Sequence, residues 1–160
     1  MIALWHDDFE VGQTFALGSF AFTREKILAF AHRFDPQAYH LSDAGAAAGP
    51  FGRLAASGFH TSAAWMKCYV ASTDATRRDL ESRGLAAPAS GPSPGFTNLK
   101  WPRPVFVDDV VSYATRVTGL PLHPKRADWG FVESVNDGHN QHGELVFSFE
   151  GKVLARRQPI

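Results

Sequence analysis

The chain has 160 residues, with 16 basic and 16 acidic side chains, zero formal net charge, 44% hydrophobic residues and 13 phenylalanines. Such a chain is long enough to bury a core as one domain, 1–160, and its balanced charge offers no electrostatic footprint for nucleic acid. A lone cysteine, Cys68, excludes an internal disulfide, no stretch approaches the roughly 18 apolar residues of a membrane span, and Met1 to Asp8 lacks a signal-peptide pattern, so a cytoplasmic location is expected.

Residues 7–14 read as an entry loop with a turn at Val11-Gly12-Gln13, and Phe15 to Phe22 alternates as a strand does. Thr23 is an N-cap residue, and Ile27, Phe30, Ala31 and Phe34 recur at helical spacing up to Phe34. Pro36 disfavours the helical region at Asp35, which predicts the helix end there. A short helical piece follows within 41–48 and is broken at Gly49-Pro50. Ser57 predicts the cap of the longest helix, Gly58 to about Ser72, with Phe59, Met66 and Val70 as bulk and apolar residues on most of its circumference. A second, more polar helix is expected over 73–83, ending at Gly84.

Residues 85–95 are rich in Pro, Gly and Ser and read as a loop within the domain. Strands are expected at 96–101, 105–107, 110–118, from Trp129 to Val135 and at 145–154, with a turn at Asn136-Asp137-Gly138 flanked by His139 and His142. One strand, a helical block and then sequential strands predict an α+β fold: an antiparallel β-sheet wrapped around a long central α-helix.

The stretch with chemical content is Phe34-Asp35-Pro36-Gln37-Ala38-Tyr39-His40. It places a carboxylate and an imidazole five residues apart. On a continuous helix they would diverge, whereas a turn after Asp35 can bring them to one point. A converging Asp35–His40 pair can hold and activate a water, imidazole being a group that exchanges protons near neutral pH. The bland alternative is a helix stop followed by an ordinary half-buried histidine. Ser57-Gly58 is open to two uses of the same free N–H groups, helix cap or oxyanion donor. His60 is expected to be a hydrogen-bonded structural histidine. No pair of histidines has metal-ligand spacing, so no metal is expected.

Three segments in register resemble the MaoC-like (R)-specific enoyl-CoA hydratases. They are Phe34 to His40, the segment Phe51-Gly52-Arg53-Leu54-Ala55-Ala56-Ser57-Gly58-Phe59-His60-Thr61, and the strand–turn–strand Leu99 to Val110. The resemblance covers roughly residues 9 to 155 and implies the hotdog fold. It implies reversible syn addition of water to a trans-2-enoyl-CoA, with Asp35 and His40 as catalytic residues and the Gly58 N–H as oxyanion donor. Gln37, Tyr39, Ser57, Phe59 and Arg53 become candidate substrate contacts, with Arg103 and Lys125 as further candidates for the CoA phosphates. No cofactor is implied beyond CoA as part of the thioester. The implied partners are an acyl-CoA and a second copy, as a homodimer or a dimer of dimers.

Two departures stand out. The family's Asp-x-Asn-Pro-x-His becomes Asp35-Pro36-Gln37-Ala38-Tyr39-His40, and Met66 stands where some members place a serine beside the aspartate; Ser62 and Thr61 are candidates to replace that support. An acyl-CoA thioesterase and a non-catalytic acyl-CoA-binding subunit are the competing readings.

Overall fold

The computed structural model describes residues 4–159, so the first three residues of the amino-terminal stretch read above lie outside the described residues. A 3-10 turn over His6–Asp8 leads into strand β1 (Thr14–Ala21) and helix α1 (Arg24–Phe34). Two short helices follow, α2 (Ala38–Leu41) and α3 (Asp43–Ala47), and then the long helix α4 (Gly58–Ser82). Strands β2 (Gly95–Lys100), β3 (Val110–Gly119), β4 (Trp129–His139) and β5 (Leu145–Arg156) complete one antiparallel sheet in the order β1-β3-β4-β5-β2.

The expected elements form because their local signals agree with their burial. Thr23 caps α1 by accepting from Lys26 N, and the helix buries Ile27 and Ala31. On β3 the residues Val111, Tyr113, Thr115 and Val117 are buried while their neighbours are more open, the period of two that one covered sheet face requires. That face meets α4, where the Tyr113 hydroxyl donates to Thr61 O at 3.0 Å and Trp65 packs edge-on against Phe149 of β5.

Four expectations change. The helices expected at 58–72 and 73–83 are one helix of 25 residues, because no Gly or Pro interrupts it and the Thr73 and Thr76 hydroxyls turn back onto the carbonyls of Tyr69 and Ser72. It ends where Gly84 adopts φ +70° and Leu85 N reaches back to Leu80 O. The helix is also not enclosed all round: His60, Thr61, Ala64, Trp65, Cys68 and Thr76 are buried, whereas Phe59, Met66 and Val70 are exposed.

Asn136-Asp137-Gly138 is not a turn either. β4 runs straight through it because Asn136 is buried, Gly138 lies beneath the Tyr113 ring, and ladders on both sides hold the strand. The reversal falls at residues 140–143. There Asn140 Oδ1 accepts from His142 N and Glu144 N, and Gly143 takes φ +76°. Residues 105–107 form no strand; Phe106 makes one isolated bridge to Ala55.

Candidate active site

The site lies where α1 ends, α2 begins and α4 begins. Asp35 is the C-cap of α1, its N–H bonded to Ala31 O, and its φ of −151° turns the chain out of the helix. Pro36 keeps the helix from continuing, and Gln37 N and His40 N close tight turns onto Asp35 O and Gln37 O. The turn returns His40 to the carboxylate it follows by five residues. His40 Nε2 stands 3.6 Å from Asp35 Oδ2, with the His40 side chain 6% and the Asp35 side chain 18% exposed.

The other imidazole nitrogen, Nδ1, lies 2.7 Å from the carbonyl oxygen of Ala55. A carbonyl can only accept, so Nδ1 carries the hydrogen and donates it. The lone pair of the neutral ring is therefore on Nε2, aimed at Asp35. The Ala55 carbonyl is itself held in place. Ala55 bridges Phe106, and Ala56 N donates to Val105 O at 2.7 Å. The 105–109 turn is pinned in turn by Asp109, whose carboxylate accepts from Phe106 N and from Gln141 Nε2, both at 2.8 Å. A sequence of ordinary hydrogen bonds thus runs from a buried aspartate to the tautomer of His40.

Two acceptors 3.6 Å apart are too far for a direct hydrogen bond and would both be satisfied by a water donating one hydrogen to each. Burial works to raise the pKa of Asp35. Hydrogen bonds from Ser57 and Gln37, together with the nearby His40, outweigh it and hold the carboxyl below its ordinary value of 3.8. Asp35 is thus ionised near neutral pH.

Ser57 Oγ accepts from Phe59 N at 3.2 Å, the N-cap role expected of it, and Ser57 is 1% exposed. The Ser62 and Thr61 hydroxyls, candidates to support Asp35, instead bond to Gly58 O and Ser57 O within α4, and it is Ser57 that acts to lower the Asp35 pKa. Met66 is half exposed. Gly58 begins α4, where N–H groups lack intrahelical acceptors. The Trp101 indole lies flat on it: a Cβ at Gly58 would sit 2.6 Å from Trp101 Cδ2. Phe59 is exposed and meets the same indole edge-on at 5.3 Å.

Gln37 and Tyr39 lie beside the pair: Tyr39 bonds to Gln37, and Gln37 bonds to Asp35. Arg53 stacks its guanidinium 3.6 Å from the centroid of Phe106. Arg103 pairs with Glu144 at 3.5 Å. Sequence reasoning missed the roles of Ala55 and Trp101. A backbone carbonyl carries no residue-type signal, and Trp101 was legible only as part of a strand–turn–strand.

His60 sits outside this cluster. It is 6% exposed, stacked on Phe30 at 4.6 Å and edged by Phe20 and Phe22, and its Nδ1 has no hydrogen-bond partner among the described residues. The expected hydrogen bond at that nitrogen is absent because aromatic rings surround it. An open groove of about 770 Å³, lined by Phe96, Thr118, Glu133, Val135, Glu150 and Lys152 among others, does not reach Asp35 or His40.

No protein-family model matches the chain. The YdeM protein of Bacillus subtilis (strain 168), itself uncharacterized, is 28% identical over 151 residues, which cover 94% of this chain and 98% of YdeM. The crystal structure of an (R)-hydratase from A. caviae involved in PHA biosynthesis is 26% identical, with TM-score 0.57, covering 95% of this chain and 98% of that one. The MaoC-like dehydratase from Rhodospirillum rubrum is 31% identical, with TM-score 0.78, covering 98% of this chain and 99% of its own. With a five-stranded antiparallel sheet packed on a long helix, and with that identity across nearly its whole length, the chain has the hotdog fold and belongs to the MaoC-like dehydratase family.

Proposed function

We propose that the protein is an (R)-specific enoyl-CoA hydratase, a hydro-lyase that adds water reversibly to a trans-2-enoyl-CoA. The observation that carries this reading is the 3.6 Å approach of Asp35 Oδ2 and His40 Nε2, with the hydrogen of His40 fixed on its far nitrogen by Ala55 O. In the reaction a water lies between the two groups. His40 Nε2 takes one proton as the hydroxyl bonds to carbon 3, and Asp35 accepts the second hydrogen bond of the water and stabilises the imidazolium. Electron density moves to the thioester oxygen, where the Gly58 N–H and the amino-terminal dipole of α4 receive it. The imidazolium then returns its proton to carbon 2, restoring the resting enzyme. One pair acting on one face of the double bond gives syn addition.

The acyl-CoA lies along Trp101 and Phe59, and Arg53 is a candidate contact for the CoA phosphates. A second copy is the proposed protein partner. β2 is an edge strand exposed along most of its length, and Phe96, Phe59, Met66 and Val70 leave apolar surface uncovered. A homodimer is expected by light scattering; a monomer at micromolar concentration contradicts this part.

A panel of enoyl-CoAs tests the reaction class, with conjugated-enoyl absorbance and free thiol followed together. Hydration removes the absorbance and releases no thiol. Thiol release identifies a thioesterase, and binding without either change identifies a non-catalytic subunit.

A further inference from the structure

Gln37 and Tyr39 are first of all candidates for contacting substrate, yet their polar atoms are spent on each other and on Asp35. We infer that they are positioning residues: Tyr39 Oη–H donates to Gln37 Oε1 at 2.5 Å, Gln37 Nε2–H donates to Asp35 Oδ1 at 2.8 Å, and this relay turns the carboxylate so that Oδ2 faces His40 Nε2. The inference rests on the hydratase reading for its consequence in catalysis, but the relay can be tested without it.

An aspartate carboxylate rotates freely about its last torsion unless something holds it. Asp35 follows the last turn of α1 and is partly open to solvent, so its two oxygens would otherwise interchange. Gln37 engages Oδ1, leaving Oδ2 for the imidazole side. The amide of Gln37 has one orientation compatible with an ionised partner, because swapping its oxygen and nitrogen would set two acceptors against each other. The Tyr39 hydroxyl fixes that orientation from behind. The O–H and N–H dipoles then align head to tail towards the carboxylate and reinforce one another.

Tyr39 is well placed to act as the fixed end. Its ring meets His40 edge-on at 4.4 Å and Phe51 at 6.2 Å. Gly49 backs it so closely that a Cβ there would stand 2.6 Å from the Cβ of Tyr39. Gly49, where the short helical piece after His40 breaks, is thus a close-packed backing for Tyr39. The replacement of the family's asparagine by Gln37 also gains a physical sense: the longer side chain spans from Asp35 to the tyrosine hydroxyl.

The test uses Tyr39→Phe, Gln37→Leu and Gln37→Glu in the full chain, with folding checked by circular dichroism. The first readout is the titration of the Asp35 side-chain carboxyl followed by carbon NMR. The titratable group facing Asp35 from the neighbouring elements is His40; Ser57 and Gln37, which also contact it, do not titrate. The midpoint is expected to rise by about half a unit in Tyr39→Phe and about one unit in Gln37→Leu, and further in Gln37→Glu, where a second carboxylate faces the first. The second readout is steady-state hydration. For Tyr39→Phe, kcat is expected to fall by about three- to tenfold with KM within about twofold, the pattern of a lost orienting interaction rather than lost binding. An unchanged Asp35 midpoint in both Tyr39→Phe and Gln37→Leu overturns the relay, as does a raised KM with unchanged kcat, which marks substrate contacts. If the wild-type chain hydrates no enoyl-CoA, the hydratase reading fails, and the NMR titration still decides the relay by itself.

Discussion

Two buried histidines, His40 and His60, share a fold and nearly the same exposure, 4% and 6%, yet live in opposite chemical surroundings. His40 has a carbonyl behind it and a carboxylate before it. His60 has phenylalanine rings on three sides, an Nδ1 with no partner among the described residues and Lys26 near enough to repel a proton. Burial and that repulsion push the His60 pKa down to about 4, so its ring stays neutral. The contrast teaches that an imidazole gains function from oriented polar partners. Burial alone makes it an awkward aromatic.

The largest expected effect breaks the pair apart by activity. Asp35→Ala or His40→Ala should lower hydration by about 10²- to 10⁴-fold, the usual contribution of a positioned acid–base group. His60→Phe, which fills the same aromatic box, should leave kcat/KM within about threefold, a general allowance for substitutions that touch no reacting group. Equal losses at both histidines would erase the distinction.

Stability against pH sharpens the comparison next. The folded-state pKa of His60 lies below the unfolded value, so the unfolded chain binds the extra proton first. The stabilising contribution of neutral His60 is complete above about pH 6.5 and is lost as pH falls towards 4. At about 1.4 kcal/mol per unit the loss reaches ~3 kcal/mol. Urea melts at pH 7 and pH 4.5 should show it in the wild type and a flatter profile in His60→Phe; identical profiles would refute the assignment.

Gly58→Ala should cost about 1–3 kcal/mol, because the new Cβ drives into the Trp101 indole. Thermal melts of the single and double variants check this: adding Trp101→Ala should recover part of the loss, and strict additivity would show that the two residues do not press on each other. The smallest effect is expected at Ser57→Ala, about 1 kcal/mol for the lost cap. Its titration readout is more telling. Asp35 contributes stability above its ordinary carboxylate value, and that contribution is lost as pH falls through its lower folded value. Without Ser57 the Asp35 midpoint should move up, so the loss on acidification shrinks. A Ser57→Ala chain with the wild-type acid profile would remove Ser57 from the site.

Much of this is legible in the sequence itself. Thr23, Pro36 and Ser57 are local signals for a cap, a stop and a cap, and each acts as such because its effect needs only neighbouring backbone. The bend that returns His40 to Asp35 follows from the same local rules. What the sequence concealed is what depends on distant chain. Asn136-Asp137-Gly138 has turn composition, but strands on both sides overrule it. The exposed flank of α4 reads as core because composition does not say which apolar residues a single chain leaves uncovered. The carbonyl of Ala55, which decides the tautomer of His40, has no side chain to announce it.

The most direct test of the shared-water account is hydration of crotonyl-CoA in deuterium oxide, with the product examined by NMR. A single water held between Asp35 and His40, its proton returned by the same imidazole, delivers the hydroxyl at carbon 3 and the deuteron at carbon 2 to the same face. The account predicts a syn product of one configuration at carbon 3. An anti product, or deuterium scrambled over both faces of carbon 2, would contradict it.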